Sequence, residues 1–208
     1  MSHAPAPSSD APLAHIVDDD EAIRDALGWL FRTRNVAART WPSAEDFLAA
    51  WQPDWRGCIV LDIRMREMSG LECFDALLDR GNALPVIFLT GHGDVPMAVG
   101  ALKKGAFDFL EKPVDDNALV DRVIRALEAD ARRQAAQETQ ATVAIRLAQL
   151  TPRELEVMQL VLAGKFNKVI ADELNISMRT VEVHRSRVFE KMGVRSAVEL
   201  AQLLAPRD

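Results

Sequence analysis

Cysteine is scarce: Cys58 and Cys73 are the only two in 208 residues. Both lie in apolar patterns without metal-ligand spacing. That argues against a disulfide scaffold or a thiolate metal site, and for small core residues in a reducing compartment. No run approaches the roughly twenty apolar residues of a membrane span. The opening "MSHAPAPSSDAP" has neither the basic nor the apolar region of a signal peptide. It reads as a disordered leader over residues 1–12, and the protein as cytoplasmic. Positive charge is in deficit too. A net charge of −6 argues against wholesale attraction to nucleic acid. The deficit is uneven. From Leu147 onward nine basic and eight acidic residues leave that part at +1, and everything before it at −7. The two parts are expected to meet different partners.

What the first part has is alternation. "LAHIV" is a short apolar run before the acidic "DDDE", and Ile23, Ala26, Leu27, Leu30 and Phe31 then recur at helical spacing. "VAART" is a modest strand. Ser43 opens a helix, with Asp46 three residues on approximating a capping box. "CIVLD", "PVIFLT" and "AFDFLEKP" are further strands. "GLECFDALLDR", closed by Gly81, "DVPMAVGALKKG" and "DNALVDRVIRALEAD" are helices. Five strand–helix units in succession predict an α/β domain, a doubly wound five-stranded parallel sheet with helices on both faces.

Ligands of such sheets bind beyond the carboxyl ends of the strands, where strand order reverses. Asp18 and Asp19 follow the first strand, Asp62 ends the third, Thr90 ends the fourth and Lys112 follows the fifth. Each alone has a bland reading: an acidic capping turn, a turn hydroxyl, a solvated loop charge. Their joint placement at one sheet edge points to chemistry. Three neighbouring carboxylates suit Mg²⁺, and a lysine with a hydroxyl suits a phosphoryl group. Asp62 then reads as a nucleophile forming an aspartyl-phosphate, with the metal and Lys112 stabilising the transferring oxygens.

"HIVDDDEAIR", "IVLDIRMREMSGLE", "VIFLTGHGDVP" and "FLEKPV" resemble the flavodoxin-like receiver domain of two-component response regulators, over residues 13–127. The resemblance implies that Asp18, Asp19, Asp62 and the backbone carbonyl of Arg64 hold Mg²⁺. It makes Asp62 the phosphorylated residue and gives Thr90 and Lys112 the phosphoryl oxygens. Phe109 becomes the aromatic switch that moves inward with Thr90, and the Lys112–Pro113 bond is expected to be cis. Arg64 and His92, each two residues past a site residue, occupy positions that tune dephosphorylation. His92 reads either as a general base or as a shield for the phosphate. One position departs from the pattern: Arg66 stands where relatives commonly have proline. It is either a tolerated loop change or one that alters phosphorylation kinetics or partner choice.

Residues 128–146 contain neither glycine nor proline and are rich in helix formers, so a helical linker is expected, with a weak heptad seam. Beyond it the punctuation predicts a small all-α four-helix domain over 147–208. Thr151, Pro152 and Glu154 start the first helix. Asn167 caps the second and Ser177 the third. Ser196 and Glu199 form a box for the last. Val181, Val188 and Met192 fall on the buried side of the third helix. A helix after a tight turn could enter a DNA major groove, or could be one face of a bundle.

"LTPRELEVMQLVLAGKFNKVIADELNISMRTVEVHRSRVFEKMGVRSAVEL" resembles the LuxR-type helix-turn-helix domain, and the whole chain a FixJ-type response regulator. The resemblance places Glu182, Val183 and Ser186 towards bases. It makes Lys168, Arg179, Thr180, Arg185 and Arg187 candidates for phosphate contacts. His184 matches a family histidine of open role. The last helix, with Val198, Leu200, Ala201 and Leu204, is expected to be a dimer surface. The implied function is a transcription regulator phosphorylated on Asp62 by a sensor histidine kinase, which then forms a homodimer on double-stranded DNA. Contact with RNA polymerase fits this role. It is a switch that catalyses its own phosphoryl transfer and dephosphorylation rather than a turnover enzyme. Two rivals are a Mg²⁺-dependent phosphohydrolase using Asp62, and a receiver that works without phosphate.

Overall fold

The computed structural model describes residues 11–91 and 95–205. Most of the expected leader, and His92, lie outside the described residues. The chain forms two compact units, the first running to Gln134 and the second starting at Ala135. The boundary falls inside the stretch expected to connect two domains.

The first unit alternates strand and helix: β1 (Leu13–Val17), α1 (Glu21–Thr33), β2 (Ala38–Trp41), α2 (Ala44–Ala50), β3 (Gly57–Asp62), α3 (Gly70–Asp79), β4 (Val86–Thr90), α4 (Val95–Lys103) and β5 (Asp108–Glu111). α5 (Asp116–Ala148) follows and is long enough to serve both units. The five strands are all parallel, in the order β2-β1-β3-β4-β5. Order reverses between β1 and β3, so the crevice that such a reversal creates lies at the carboxyl ends of those two strands. Every residue of β3 and β4 is buried, as central strands covered on both faces must be. Leu27, Leu30, Phe31, Leu119 and Val123 of α1 and α5 cover one face. Phe47, Phe74, Leu77 and Ala101 of α2, α3 and α4 cover the other. Cys58 belongs to the first of these cores and Cys73 to the second, with both thiols free and pushed up to about 12 by burial. Beyond α5's first turns, Asp130 is 2% exposed and accepts a 2.8 Å hydrogen bond from the Gly57 amide, so the first unit includes α5 at least that far.

The second unit packs α6 (Pro152–Leu162), α7 (Asn167–Leu174), α8 (Met178–Met192) and α9 (Ala197–Leu204) around Val157, Ile170, Val181, Val188, Met192 and Leu200. Thr151 and Glu154 form the expected reciprocal box. Asn167 does not cap α7. Phe166, which has no side-chain acceptor, holds that position, and the side-chain Oδ1 of Asn167 accepts from Arg185 Nη1 at 2.6 Å instead. Ser196 does cap α9, but Glu199 turns to the Arg195 amide at 2.8 Å, one residue before the cap. Leu200 is wholly buried and is core rather than surface, whereas Val198 is 66% exposed.

Candidate functional site

Three carboxylates meet at the reversal of strand order. Asp18 follows β1 directly and is 1% exposed, Asp62 ends β3 and is 6% exposed, and Asp19 lies beside them, half-buried. One ligand oxygen from each lies within 4.8 Å of the others. Lys112, just past β5, sends its Nζ to Asp18 Oδ2 at 2.9 Å and to Asp62 Oδ1 at 3.1 Å. Its backbone amide donates to the Thr90 carbonyl at 2.8 Å, which fixes the lysine beside the end of β4. The Lys112–Pro113 bond is cis.

The surroundings of Asp18 and Asp62 are built from neighbouring backbone. Asp18 Oδ1 accepts from the Asp20 amide at 2.9 Å, and the Asp18 carbonyl accepts from Arg24 Nη1 at 2.8 Å. Asp20 also caps α1 through the Ala22 amide. The Arg64 amide donates to Asp62. Ser69 and Glu72 make a full capping box that starts α3, and Gly70 presses its backbone against Asp62: a Cβ there would sit 2.0 Å from the Asp62 carbonyl oxygen. Only glycine permits that approach. Burial pushes the Asp62 carboxyl above its ordinary value. Lys112 opposes the push and Asp18 adds to it. Burial lowers Lys112 in turn, but hydrogen bonds to Asp18 and the charges of Asp62 and Asp18 outweigh it and hold the ammonium above its usual value. Ion pairing alone would have lowered Asp62. Loss of water on burial, with a smaller push from the Asp18 charge, is what reverses the sign.

An all-oxygen set with crowded carboxylates, one side open through Asp19, fits a hard cation such as Mg²⁺. Thr90 is fully buried, and its hydroxyl donates to the Gly91 carbonyl at 3.1 Å. Phe109 pairs with Phe88 and Glu111 with Thr90, so Phe109 and Thr90 share a sheet face one diagonal step apart. Phe109 is half-buried against the core on that face. The structure thus brings Asp18, Asp19, Asp62, Thr90 and Lys112 to one edge of the sheet. Arg24, Gly70 and Glu72 went unmarked in the sequence, although "SGLE", a capping serine with glutamate three residues on, was a readable sign for two of them.

In the second unit α7 and α8 are joined by Asn175–Ser177, with Asn175 in the left-handed region at φ 51°. Ser177 caps α8 through the Thr180 amide at 3.1 Å. Val181, Val188 and Met192 face the core, which leaves Arg179, Glu182, Val183, Ser186 and Arg187 exposed. Lys168 on α7 is also exposed, and Thr180 is half-buried. Arg185 is half-buried as well: besides Asn167 it meets the Phe189 ring, 5.6 Å from its centroid. The Nδ1 of His184 is closed off without a hydrogen-bond partner. A tight turn followed by an exposed helix of mixed polar character has the form of a helix-turn-helix reader.

A strand-edge acidic cluster with a threonine and a lysine, joined to a helix-turn-helix module, defines a response regulator. Comparisons with known proteins agree. Residues 14–124 match the response regulator receiver domain, and residues 148–204 match the LuxR family of bacterial regulatory proteins. The chain is 53% identical over 191 residues to the C4-dicarboxylate transport transcriptional regulatory protein DctR of Rhodobacter capsulatus, covering 91% of this chain and 97% of that one. It is 44% identical to the transcriptional regulatory protein FixJ of Azorhizobium caulinodans, covering 93% and 94%. Among solved structures it is similar to the response regulator StyR, with a TM-score of 0.84 at 41% identity, covering 93% of this chain and 98% of that one. This chain belongs to the FixJ-type response regulators, transcription regulators controlled in this family by phosphorylation of the receiver. It is not a metabolic enzyme. Receiver domains bind Mg²⁺ at an acidic pocket of the kind described here. Among the described residues no helix is long and apolar enough to cross a membrane.

Proposed function

We propose that Asp62 is the phosphoacceptor and that its phosphorylation by a sensor histidine kinase drives dimerisation and DNA binding. The observation that carries this reading is the placement of Lys112 within 3.1 Å of both Asp18 and Asp62, inside a three-carboxylate cluster. An Asp62 oxygen attacks the phosphorus of a phosphohistidine. A P–O bond forms, the P–N bond breaks, and the departing imidazole takes up a proton. Asp18, Asp19, Asp62 and the Arg64 carbonyl are the groups that hold Mg²⁺, which when bound offsets charge on the transferring oxygens. Lys112 exchanges a carboxylate for a phosphoryl oxygen. The Thr90 hydroxyl leaves the Gly91 carbonyl for another, and Phe109, its diagonal neighbour, follows. Arg64 and His92 set how fast water removes the phosphate.

On DNA, Glu182, Val183 and Ser186 face bases. Lys168, Arg179, Thr180, Arg185 and Arg187 face phosphates. One subunit with so few cations binds weakly, and two on adjacent half-sites gain through effective concentration. The protein works in the cytoplasm, with RNA polymerase as a downstream contact. The relatives' names cite C4-dicarboxylate transport, nodulation and tetrathionate, so similarity supports a shared mechanism and not a shared stimulus.

The test is solution mass by light scattering, with and without Mg²⁺ and beryllofluoride, for wild type and Asp62→Ala. The expected result is a doubling of mass in wild type and none in the variant. Constant mass in wild type, with beryllofluoride binding verified, rejects dimerisation as the output.

A further inference from the structure

Of the three clustered carboxylates, Asp19 is held differently from the others. Asp18 and Asp62 share Lys112 and backbone amides. Asp19 is met from the solvent side, where Arg66 Nε lies 3.2 Å from Asp19 Oδ2. The Arg66 side chain is 87% exposed and that of Asp19 24%. Both border a surface hollow of about 270 Å³ that Ser43, Glu45 and Glu67 also line.

We propose that Arg66 is an internal counter-ion of the metal site, holding Asp19 in the unloaded state and competing with Mg²⁺ for it. The inference rests on the metal reading of the three carboxylates given above. A guanidinium and a divalent cation on one carboxylate repel each other, so the arginine must withdraw as the cation enters. With Lys112 and Arg66 in place, three negative charges face two positive ones. Without Arg66 they face one, and the site attracts a cation more strongly. Proline at position 66 would carry neither charge nor donor, so the competition belongs to this chain's own residue. The pair is exposed, which bounds the effect: such a contact shifts an equilibrium by roughly two- to fivefold. The consequence is a higher Mg²⁺ requirement for phosphorylation, with no change in the group that accepts the phosphate.

The experiment is a Mg²⁺ titration of the unphosphorylated full chain, followed by the amide resonances of Ile63 and Arg64. It compares wild type with Arg66→Gln, Arg66→Lys and Arg66→Pro. Arg66→Gln removes the charge at an exposed position and leaves the fold intact. It is expected to bind Mg²⁺ about two- to fivefold tighter. Arg66→Pro should do the same, and Arg66→Lys should stay near wild type. A second readout is the Mg²⁺ dependence of phosphorylation by a small phosphodonor. In Arg66→Gln it moves to lower Mg²⁺ by the same factor, with the saturating rate unchanged. Equal or weaker Mg²⁺ binding by Arg66→Gln overturns the counter-ion role while leaving Asp62 as phosphoacceptor. Absence of Mg²⁺ binding in wild type and variant alike overturns the metal reading, and the counter-ion role with it.

Discussion

In the receiver unit, side chains from the ends of four strands meet under cover, with Thr90, Asp18 and Asp62 at 0%, 1% and 6% exposure. In the DNA-binding unit most candidate contacts lie in the open, chiefly on α8, and Val183 there is 44% exposed. The contrast follows from what each must bind. A phosphoryl group and a metal need charges held out of water, where a field of fixed direction acts strongly. A DNA duplex needs reach and accessible charge, and its affinity comes largely from displaced counter-ions. The receiver therefore carries buried ionisable groups with displaced pKa values, and those groups make its stability depend on pH.

Acid should separate the two units most clearly. His15, on β1, is 1% exposed and stacks on Trp55 at 4.4 Å between centroids. Its Nδ1 accepts from Trp41 Nε1 at 3.2 Å, and its Nε2 is buried without a partner. Burial first, then the charge of Arg39, lowers it from 6.5 to about 4. The unfolded chain takes up a proton below 6.5 and the folded one does not until about 4. The stability is thus present above 6.5 and lost as pH falls between those values, by about 3 kcal/mol at ~1.4 kcal/mol per unit. In the second unit Glu154 is held down to about 2 by Lys191 Nζ at 2.6 Å and the Thr151 amide at 2.9 Å. It is covered, at 2% exposure, yet it lies in a shallow layer, so little desolvation opposes these partners. Its contribution, about 1 kcal/mol after screening, is present above 4.5 and lost only between 4.5 and about 2. All four tryptophans, Trp29, Trp41, Trp51 and Trp55, lie in the receiver. Thermal melts read by tryptophan fluorescence should therefore weaken between pH 6.5 and 4, while unit-two amide exchange holds until lower pH. His15→Phe should flatten that fluorescence trend, at about 1 kcal/mol cost near pH 7 for the stranded Trp41 indole. A full acid loss persisting in His15→Phe would break the comparison.

Asp62→Asn should sharpen it. The carboxyl is raised above its ordinary value, chiefly by burial, so its ionised form opposes folding at neutral pH. The amide should raise receiver stability by about 1 kcal/mol while ending phosphoryl acceptance, the usual exchange at a functional site. Ser186→Ala, on the open helix, should leave stability within about 0.5 kcal/mol. If Asp62→Asn lowers the melting midpoint, the buried carboxylate is structural and the argument from desolvation fails.

How much of this was readable in the sequence divides along the same line. Strand ends and helix starts are local, and Asp18, Asp62, Thr90 and Lys112 could be sent to one edge from alternation and the strand-reversal rule. Thr151, Ser177 and Gly193 announced their caps for the same reason. Failures came where a distant partner claimed a locally plausible group. Asn167 was spent on Arg185, eighteen residues on, and Leu200 on the core. Asp130 in the presumed linker was taken by Gly57, seventy-three residues away. The closeness of Gly70 to Asp62, and of Arg66 to Asp19, depends on how one loop folds back, which no period in the sequence encodes.

Within the second unit, Asn167 and Arg187 give a smaller and sharper contrast. The Asn167 side-chain Oδ1 accepts from Arg185 Nη1 at 2.6 Å, tying α7 to α8 across the helix-turn-helix. Asn167→Ala removes an acceptor from a charged group that is already half in water, so the stability lost should be about 0.5–1.5 kcal/mol. Arg187→Ala removes an exposed cation with no such tie among the described residues, and should cost less than about 0.5 kcal/mol. Its effect belongs to DNA: weaker binding across sequences, with the slope of log affinity against log salt reduced by roughly one per subunit. Denaturant melts paired with binding isotherms at several salt concentrations separate the two. Arg187→Ala should move only the isotherms, while Asn167→Ala should move the melt and leave the salt slope nearly unchanged. If instead Arg187→Ala destabilises as much as Asn167→Ala, the exposed helix is packed as tightly as the receiver site. The contrast between a covered switch and an open reader would then dissolve.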